Sequence, residues 1–356
     1  MSDSENSLHN TAKTQSPLQE ILPSPAWRRV LRSMTLEPLE IVITNFLYRL
    51  SHSSKPWIRK PLTRFMLRRF KIDMSEALQP DPEQYARFSD LFIRRLRAGV
   101  RPVDAREDIV VSSVDGCISQ VGLIEADGTI VEVNEKKSNT KKIFIKGIRY
   151  SLLDLLGGME TMAARYLGGA YNNTYLAPHN YHRMHMPFEG SLQRILRIPG
   201  RLRSVSQVVQ LDSPEPVMTT NERVVLEFKD PEGKNFALVF VGAVGVSGIA
   251  CPWMDFRHRR HYGSRRQAKK QGLELYEVEA GCLLCKTSSI KKIGKIIEEA
   301  CVGEDAFFRR KGEEVGVFEM GSTVVVLFGP EFGVKWLPSV LRGAEVKMGE
   351  AVGTAS

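Results

Sequence analysis

The chain has seven histidines, and three of them, His179, His182 and His185, fall together in YLAPHNYHRMHMPFEG, between two prolines. Imidazole titrates near neutrality, so it suits general acid/base work on a bound amine or acyl group. Three imidazoles also suit a metal, but zinc sites ask for a further Cys or carboxylate, or an open water position, and no HExxH-like helix surrounds these. Ordinary hydrogen-bonded loop histidines are the third reading. Other types that do chemistry lie far away: Asp115 in SSVDGCISQVG, before a glycine at the mouth of an apolar run, and Ser322 in FEMGSTVVVLFG. An acid that orients an imidazole, an imidazole that takes a proton and a hydroxyl that attacks form a nucleophilic set defined by geometry, not by chain order. Asp115, His185 and Ser322 supply those types. Gly321-Ser322 also suits a Gly-first hairpin turn, yet the apolar run resumes at once with Thr323. Cys282 and Cys285, in GCLLCK, lack a second pair at metal spacing and read as two half-buried thiols.

The elements that must position these residues are mostly strands. After about residue 104, short apolar runs alternate with turn residues, as in DIVVSSVDGCISQVGLIEADGTIVEV and RVVLEFKDPEGKNFALVFVGAVGVSGI, where EADGT and KDPEGK are hairpin signals. YSLLDLLGG and METMAARYLGG read as short helices between strands. FSDLFIRRLRAGVRPVD reads as a helix from Phe88 that ends near Gly99, with Pro102 as its stop. The basic, acid-free segment Arg257 to Gly272 reads as a solvated loop; a nucleic-acid arm there lacks interleaved aromatic residues.

The first residues are polar, without the apolar core of a secretory signal, and residues 1–23 are expected to be a disordered leader. From Pro25 onward Trp, Phe, Leu and Ile mix with many Arg and Lys and few acids. No uncharged stretch approaches the roughly 20 apolar residues of a bilayer span. In WIRKPLTRFMLRRF the apolar residues Trp57, Ile58, Leu62, Phe65, Met66 and Phe70 recur at helical spacing among Arg and Lys, the pattern of an interfacial amphipathic helix or of a surface helix packed on its own core. The formal charge of +9 favours an anionic partner, whether nucleic acid, bilayer or small substrate. With 42% hydrophobic residues the 356-residue chain can bury a sizeable core, and five scattered cysteines argue for a reducing compartment over a disulfide scaffold.

Taken in order, KIDMSEA, FSDLFIRRLRAGVRPVD, SSVDGCISQVG, IKGIRYSLLDLLGG, YLAPHNYHRMHMPFEG, NERVVLEF, VGAVGVSGI and EMGSTVVVLF resemble the blocks of phosphatidylserine decarboxylases of the short, membrane-associated bacterial type, from about residue 40 to the C-terminus. The resemblance implies that the Gly321-Ser322 bond cuts itself, giving a β chain, residues 1–321, and an α chain, residues 322–356, that begins with a pyruvoyl group derived from Ser322. It implies His185, oriented by Asp115, as the base for this cleavage, and His182 as the histidine of decarboxylation, in which the pyruvoyl forms an imine with phosphatidylserine and CO2 leaves to give phosphatidylethanolamine. No metal is expected. The fold class implied is α+β: a mostly antiparallel β-sandwich core over residues 81–356, with a helical membrane-binding region at 24–80. Phosphatidylserine and an anionic bilayer surface are the expected partners, the latter attracting Lys and Arg at about 1 kcal/mol each. The α and β chains are expected to stay together and to dimerise further, peripherally on the cytoplasmic face of the cell membrane, without nucleic acid. The rival readings are a pyruvoyl-dependent decarboxylase of a soluble amino acid and, from another class, a nucleic-acid-binding protein. Two departures stand out. Asn180 replaces the aspartate usual before YHR, and a long extra segment follows VGAVGVSGI.

Overall fold

The computed structural model describes residues 37–132, 150–203, 205, 217–243, 248–255, 273–286, 303–319 and 322–356. The expected leader and the basic segment Arg257 to Gly272 lie outside the described residues.

The basic, apolar N-terminal stretch forms two helices, α1 (Glu37–Ser51) and α2 (Pro56–Phe70). Proline at the start of α2 fits because its missing N–H is one that a first turn leaves unpaired anyway. Lys71 ends the helix in the left-handed conformation, at φ 51°, its N–H donating to the Leu67 carbonyl. Leu62, Met66 and Leu67 pack on the Phe88, Leu91 and Phe92 cluster of a short third helix, α3 (Phe88–Phe92). Trp57, Phe65, Val42 and Phe46 are exposed. None of the described helices is long and apolar enough to cross a membrane.

The expected helix over Phe88 to Gly99 stops at Phe92. Beyond it the backbone pairs with the preceding loop: Ala77 bridges Leu96, the Leu78 N–H donates to Arg95 and the Arg97 N–H to Glu76. These bonds take the groups that a continuing helix would have used.

The rest is antiparallel sheet with short helices, an α+β fold with a β-rich core. We number the strands that matter to the site: β1 Gly116–Ile124, β2 Ala170–Leu176, β3 Arg183–His185, β4 Gly190–Ile198, β5 Arg223–Lys229, β6 Asn235–Val241, β7 Ile249–Cys251, β8 Glu274–Glu279, β9 Cys282–Cys285, β10 Glu314–Phe318, β11 Ser322–Phe328 and β12 Glu345–Val346. Among the described residues the largest sheet runs β9-β8-β4-β5-β6-β11-β2-β1-β12, and β3, β10 and β7 belong to a second sheet. The two hairpin signals are turns: Gly128 (φ 79°) lies in the loop that ends β1, and Gly233 (φ 87°) lies between β5 and β6. YSLLDLLGG and METMAARYLGG contain helices Leu152–Leu155 and Glu160–Ala163. Cys282 is disulfide-bonded, which corrects its reading as a thiol, whereas Cys117 and Cys251 are free.

Strand β11 sits near the middle of the large sheet, paired with β2 on one side and β6 on the other. Its apolar run Val324–Phe328 is buried throughout, with Phe328 against Phe236, Phe332 and Trp336. Each such side chain contributes about 1.5–3 kcal/mol through burial, so the start of β11 is firmly placed.

Candidate active site

Register brings three chain segments to one end of the large sheet. Ser322, the first residue of β11, stands opposite Leu176, the last of β2. Cys117 of β1 stands opposite Tyr175, so Asp115, two residues ahead of it, lies level with the chain just past Leu176. That chain is the loop Ala177 to His182, which continues into β3. Gly116 makes the close approach of β1 and β2 possible, since a Cβ there would sit 2.4 Å from the Tyr175 carbonyl oxygen. At the other end of the histidine loop the Phe318 N–H donates to the His182 carbonyl at 3.1 Å. Phe318 and Ser322 thus each adjoin one end of the histidine loop, and Met320 and Gly321 between them lie outside the described residues.

His182 is fully buried, its ring 4.1 Å from that of Phe92. Its Nδ1 is 2.9 Å from the Asn180 carbonyl oxygen, and a carbonyl can only accept, so the proton is on Nδ1. The lone pair on Nε2 has no hydrogen-bond partner among the described residues. Burial pushes the imidazole pKa down to about 3, the Asn180 carbonyl opposing only part of this, so the ring is neutral at ordinary pH. His185 shares this tautomer: Nδ1 donates to the Gly312 carbonyl at 2.8 Å, and Nε2 accepts from the Tyr181 hydroxyl at 3.2 Å. Burial lowers its pKa too, while the Gly312 carbonyl and, more weakly, Glu314 and Asp115 act in the other direction. His179 is likewise lowered by burial.

Asp115 is buried but does not hold His185. Its carboxylate accepts from Arg101 Nε and Nη2, at 2.9 and 2.6 Å to the nearer oxygens, and from the Met348 N–H at 2.9 Å. Arg101 also reaches Glu76 at 2.7 Å. Asp115 and His185 are thus close enough to interact, but the orienting partner of His185 is a backbone carbonyl, and Asp115 acts on it only through space. Arg101, Tyr181 and Gly312 went unrecognised in the sequence as parts of the site. The usable signals were the place of Arg101 in FSDLFIRRLRAGVRPVD, the block just before the one that holds Asp115, and that of Tyr181 between two of the histidines. Among the described residues no cluster of His, Cys, Asp and Glu suits a metal ion.

A family model for phosphatidylserine decarboxylase matches residues 88–354, the span that holds every element of this site. The chain belongs to the phosphatidylserine decarboxylase family. It is 36% identical over 326 residues to the phosphatidylserine decarboxylase proenzyme of Bordetella pertussis, covering 90% of this chain and 93% of that protein. The corresponding proenzymes of Pseudomonas entomophila and Pseudomonas fluorescens are 35% and 34% identical, each over 83% of this chain and 86% and 87% of their own length. The chain is thus a decarboxylase, and its departure at Asn180 is mild in this light. The Asn180 side chain caps the loop by accepting from the Ala177 N–H at 2.8 Å, and it is the backbone carbonyl of this residue that fixes His182. Neither contact requires a carboxylate.

Proposed function

We propose that this decarboxylase cuts its own chain between Gly321 and Ser322 and then converts phosphatidylserine to phosphatidylethanolamine and CO2 at a bilayer surface. The observation that carries the reading is the placement of Ser322 at the sheet end from which the histidine loop departs, with that loop also bonded to Phe318 on the other side of Gly321. In the first stage the Ser322 hydroxyl attacks the Gly321 carbonyl carbon and an ester replaces the amide. Loss of the Ser322 Cα proton then expels the Gly321 carboxylate, and water replaces the nitrogen, as ammonia, to leave a ketone. Proximity supplies much of the acceleration, because β11 fixes the residue that follows the attacked bond. A base must take the hydroxyl proton; His185 Nε2 suits this once the Tyr181 hydroxyl turns aside.

In the second stage the pyruvoyl group made from Ser322 supplies an electron sink for the carbanion that loss of CO2 leaves. The buried residues at the site suit the proton steps around it. His182 is kept neutral by burial until a substrate carboxylate arrives, and the negative charge of that carboxylate favours the imidazolium and raises the pKa toward the working range. The imidazolium is then the donor that returns a proton to carbon. Trp57, Phe65, Val42 and Phe46, exposed on α1 and α2 among basic residues, would seat the enzyme on an anionic cytoplasmic membrane face. Lys60 and Arg64 are paired with Glu83, so the exposed Arg68 and Arg69 supply more of that attraction. The α and β chains would remain one unit, and a dimer of such units is the expected assembly.

Denaturing electrophoresis with intact mass measurement tests the proposal. Wild-type protein should give two very unequal fragments, the smaller blocked by a carbonyl at its N-terminus, and Ser322→Ala a single full-length band without activity. A single band from both proteins, or an α chain that begins with unaltered serine, sinks it.

A further inference from the structure

Beside the histidine loop lies a cavity of about 340 Å³ whose wall includes Lys71, Arg94, Arg101, Asp115, His179 and Tyr181. Most charges around it are on exposed side chains, Lys71, Asp73, Glu345, Lys347 and Glu350, where solvent screens them, or on the half-buried Glu76. Three charged groups in the wall are buried: Arg94, Arg101 and Asp115. Arg101 and Asp115 neutralise each other, with Glu76 as a second partner of Arg101. Arg94 is left over. Of its five N–H donors the structure satisfies one group, Nη2, which donates to the His179 carbonyl at 3.0 Å, and Nε and Nη1 are buried without partners. A buried guanidinium without a bonded anion is costly: burial lowers its pKa, and Tyr85, Asp115, Glu76 and Asp73 oppose this only through space. Among the described residues no carboxylate bonds to it.

We infer that Arg94 is the anchor of an anion subsite in this cavity, and that the anion is the phosphodiester of the lipid headgroup. The assignment rests on the proposed function for its substrate. The alternative anion, the serine carboxylate, is a poor match, because a strong ionic bond to it is lost as neutral CO2 forms and so stabilises the ground state more than the transition state. The phosphodiester keeps its charge throughout. It is separated from the reacting amine only by the short Cα–Cβ–O chain, and the cavity shares Tyr181 and His179 with the loop that carries His182. Lys71, at the end of α2, places the rim of the same cavity next to the helix that would lie on the lipid surface.

Titration calorimetry of the full-length protein with glycerophosphoethanolamine, which has the phosphodiester and no carboxylate, tests this without turnover. The wild type should bind it, Arg94→Gln should weaken binding by about tenfold or more, and Arg94→Lys should recover part of the loss. L-serine affinity should be the same in all three. No binding by the wild type, equal binding by wild type and Arg94→Gln, or a parallel loss for serine overturns the assignment. Should Arg94→Gln fail to melt cooperatively, Arg94→Lys decides, with unchanged glycerophosphoethanolamine affinity counting against us. Absent decarboxylation with intact binding would instead sink the proposed reaction and leave the subsite standing.

Discussion

The burial of neutral His182 makes a quantitative statement about acid stability. The folded pKa of about 3 lies below the ordinary 6.5, so as pH falls the unfolded chain takes up this proton first. Folding is therefore penalised as pH drops through 6.5, and the penalty stops growing below about pH 3. Between pH 7 and pH 5 the unfolded state gains most of a proton that the folded state refuses, worth about 2 kcal/mol; by pH 3 the sum is about 4 kcal/mol. His185 and His179, both lowered by burial, add to the slope of the wild type, so the contribution of His182 must be read as a difference. The comparison is Ser322→Ala against Ser322→Ala/His182→Gln, which keeps each protein as one covalent chain. Urea unfolding at pH 7 and pH 5 should show that the histidine chain loses about 2 kcal/mol more than the glutamine chain over this interval. Equal losses would mean that His182 is solvated or charged in the folded protein, and the account of its tautomer and free lone pair would fall with it.

Arg101→Leu strips Asp115 of its guanidinium and leaves one N–H donor on a buried carboxylate, so thermal melts should show destabilisation of about 3–5 kcal/mol, part of it restored in Arg101→Leu/Asp115→Leu. Gly116→Ala drives a methyl group into the Tyr175 carbonyl oxygen; the β1–β2 pairing must open, and the fraction of cleaved chain on a denaturing gel should fall sharply even where the protein remains soluble. Trp57→Ala/Phe65→Ala removes two exposed apolar side chains from α2 and should weaken co-sedimentation with phosphatidylserine vesicles by tenfold or more, at about 1.5 kcal/mol or more per side chain, while secondary structure by circular dichroism is unchanged. Retained vesicle binding would move the membrane contact elsewhere.

What the sequence made legible follows the range of the interactions involved. Short apolar runs and Gly-containing turns announced β1, β5, β6 and β11, because those signals are local. The end of α3 was invisible: Ile93, Arg94, Arg95 and Leu96 have adequate helix propensity, and what stops the helix is pairing with residues 76–78, which no local rule registers. The same applies inside the site. The identities of Asp115, His182, His185 and Ser322 could be marked by residue type and by resemblance, but their partners could not. Asp115 goes to Arg101, with the Met348 N–H arriving from 233 residues further along the chain. His185 is fixed by the Gly312 carbonyl, and a backbone carbonyl has no residue-type signature.

Strand β11 has a last consequence for the order of events in the life of the enzyme. If the backbone is severed at its first residue, the liberated piece still threads the centre of the sheet, and its tail, Ala351–Thr354, is laced to Ile109–Val111 in another sheet. The intact bond is then assembly tooling, needed while the sheet is laid down and dispensable afterwards. Scission has to wait for folding, and a mature enzyme pulled apart by denaturant would have lost the tether that first put its pieces in place.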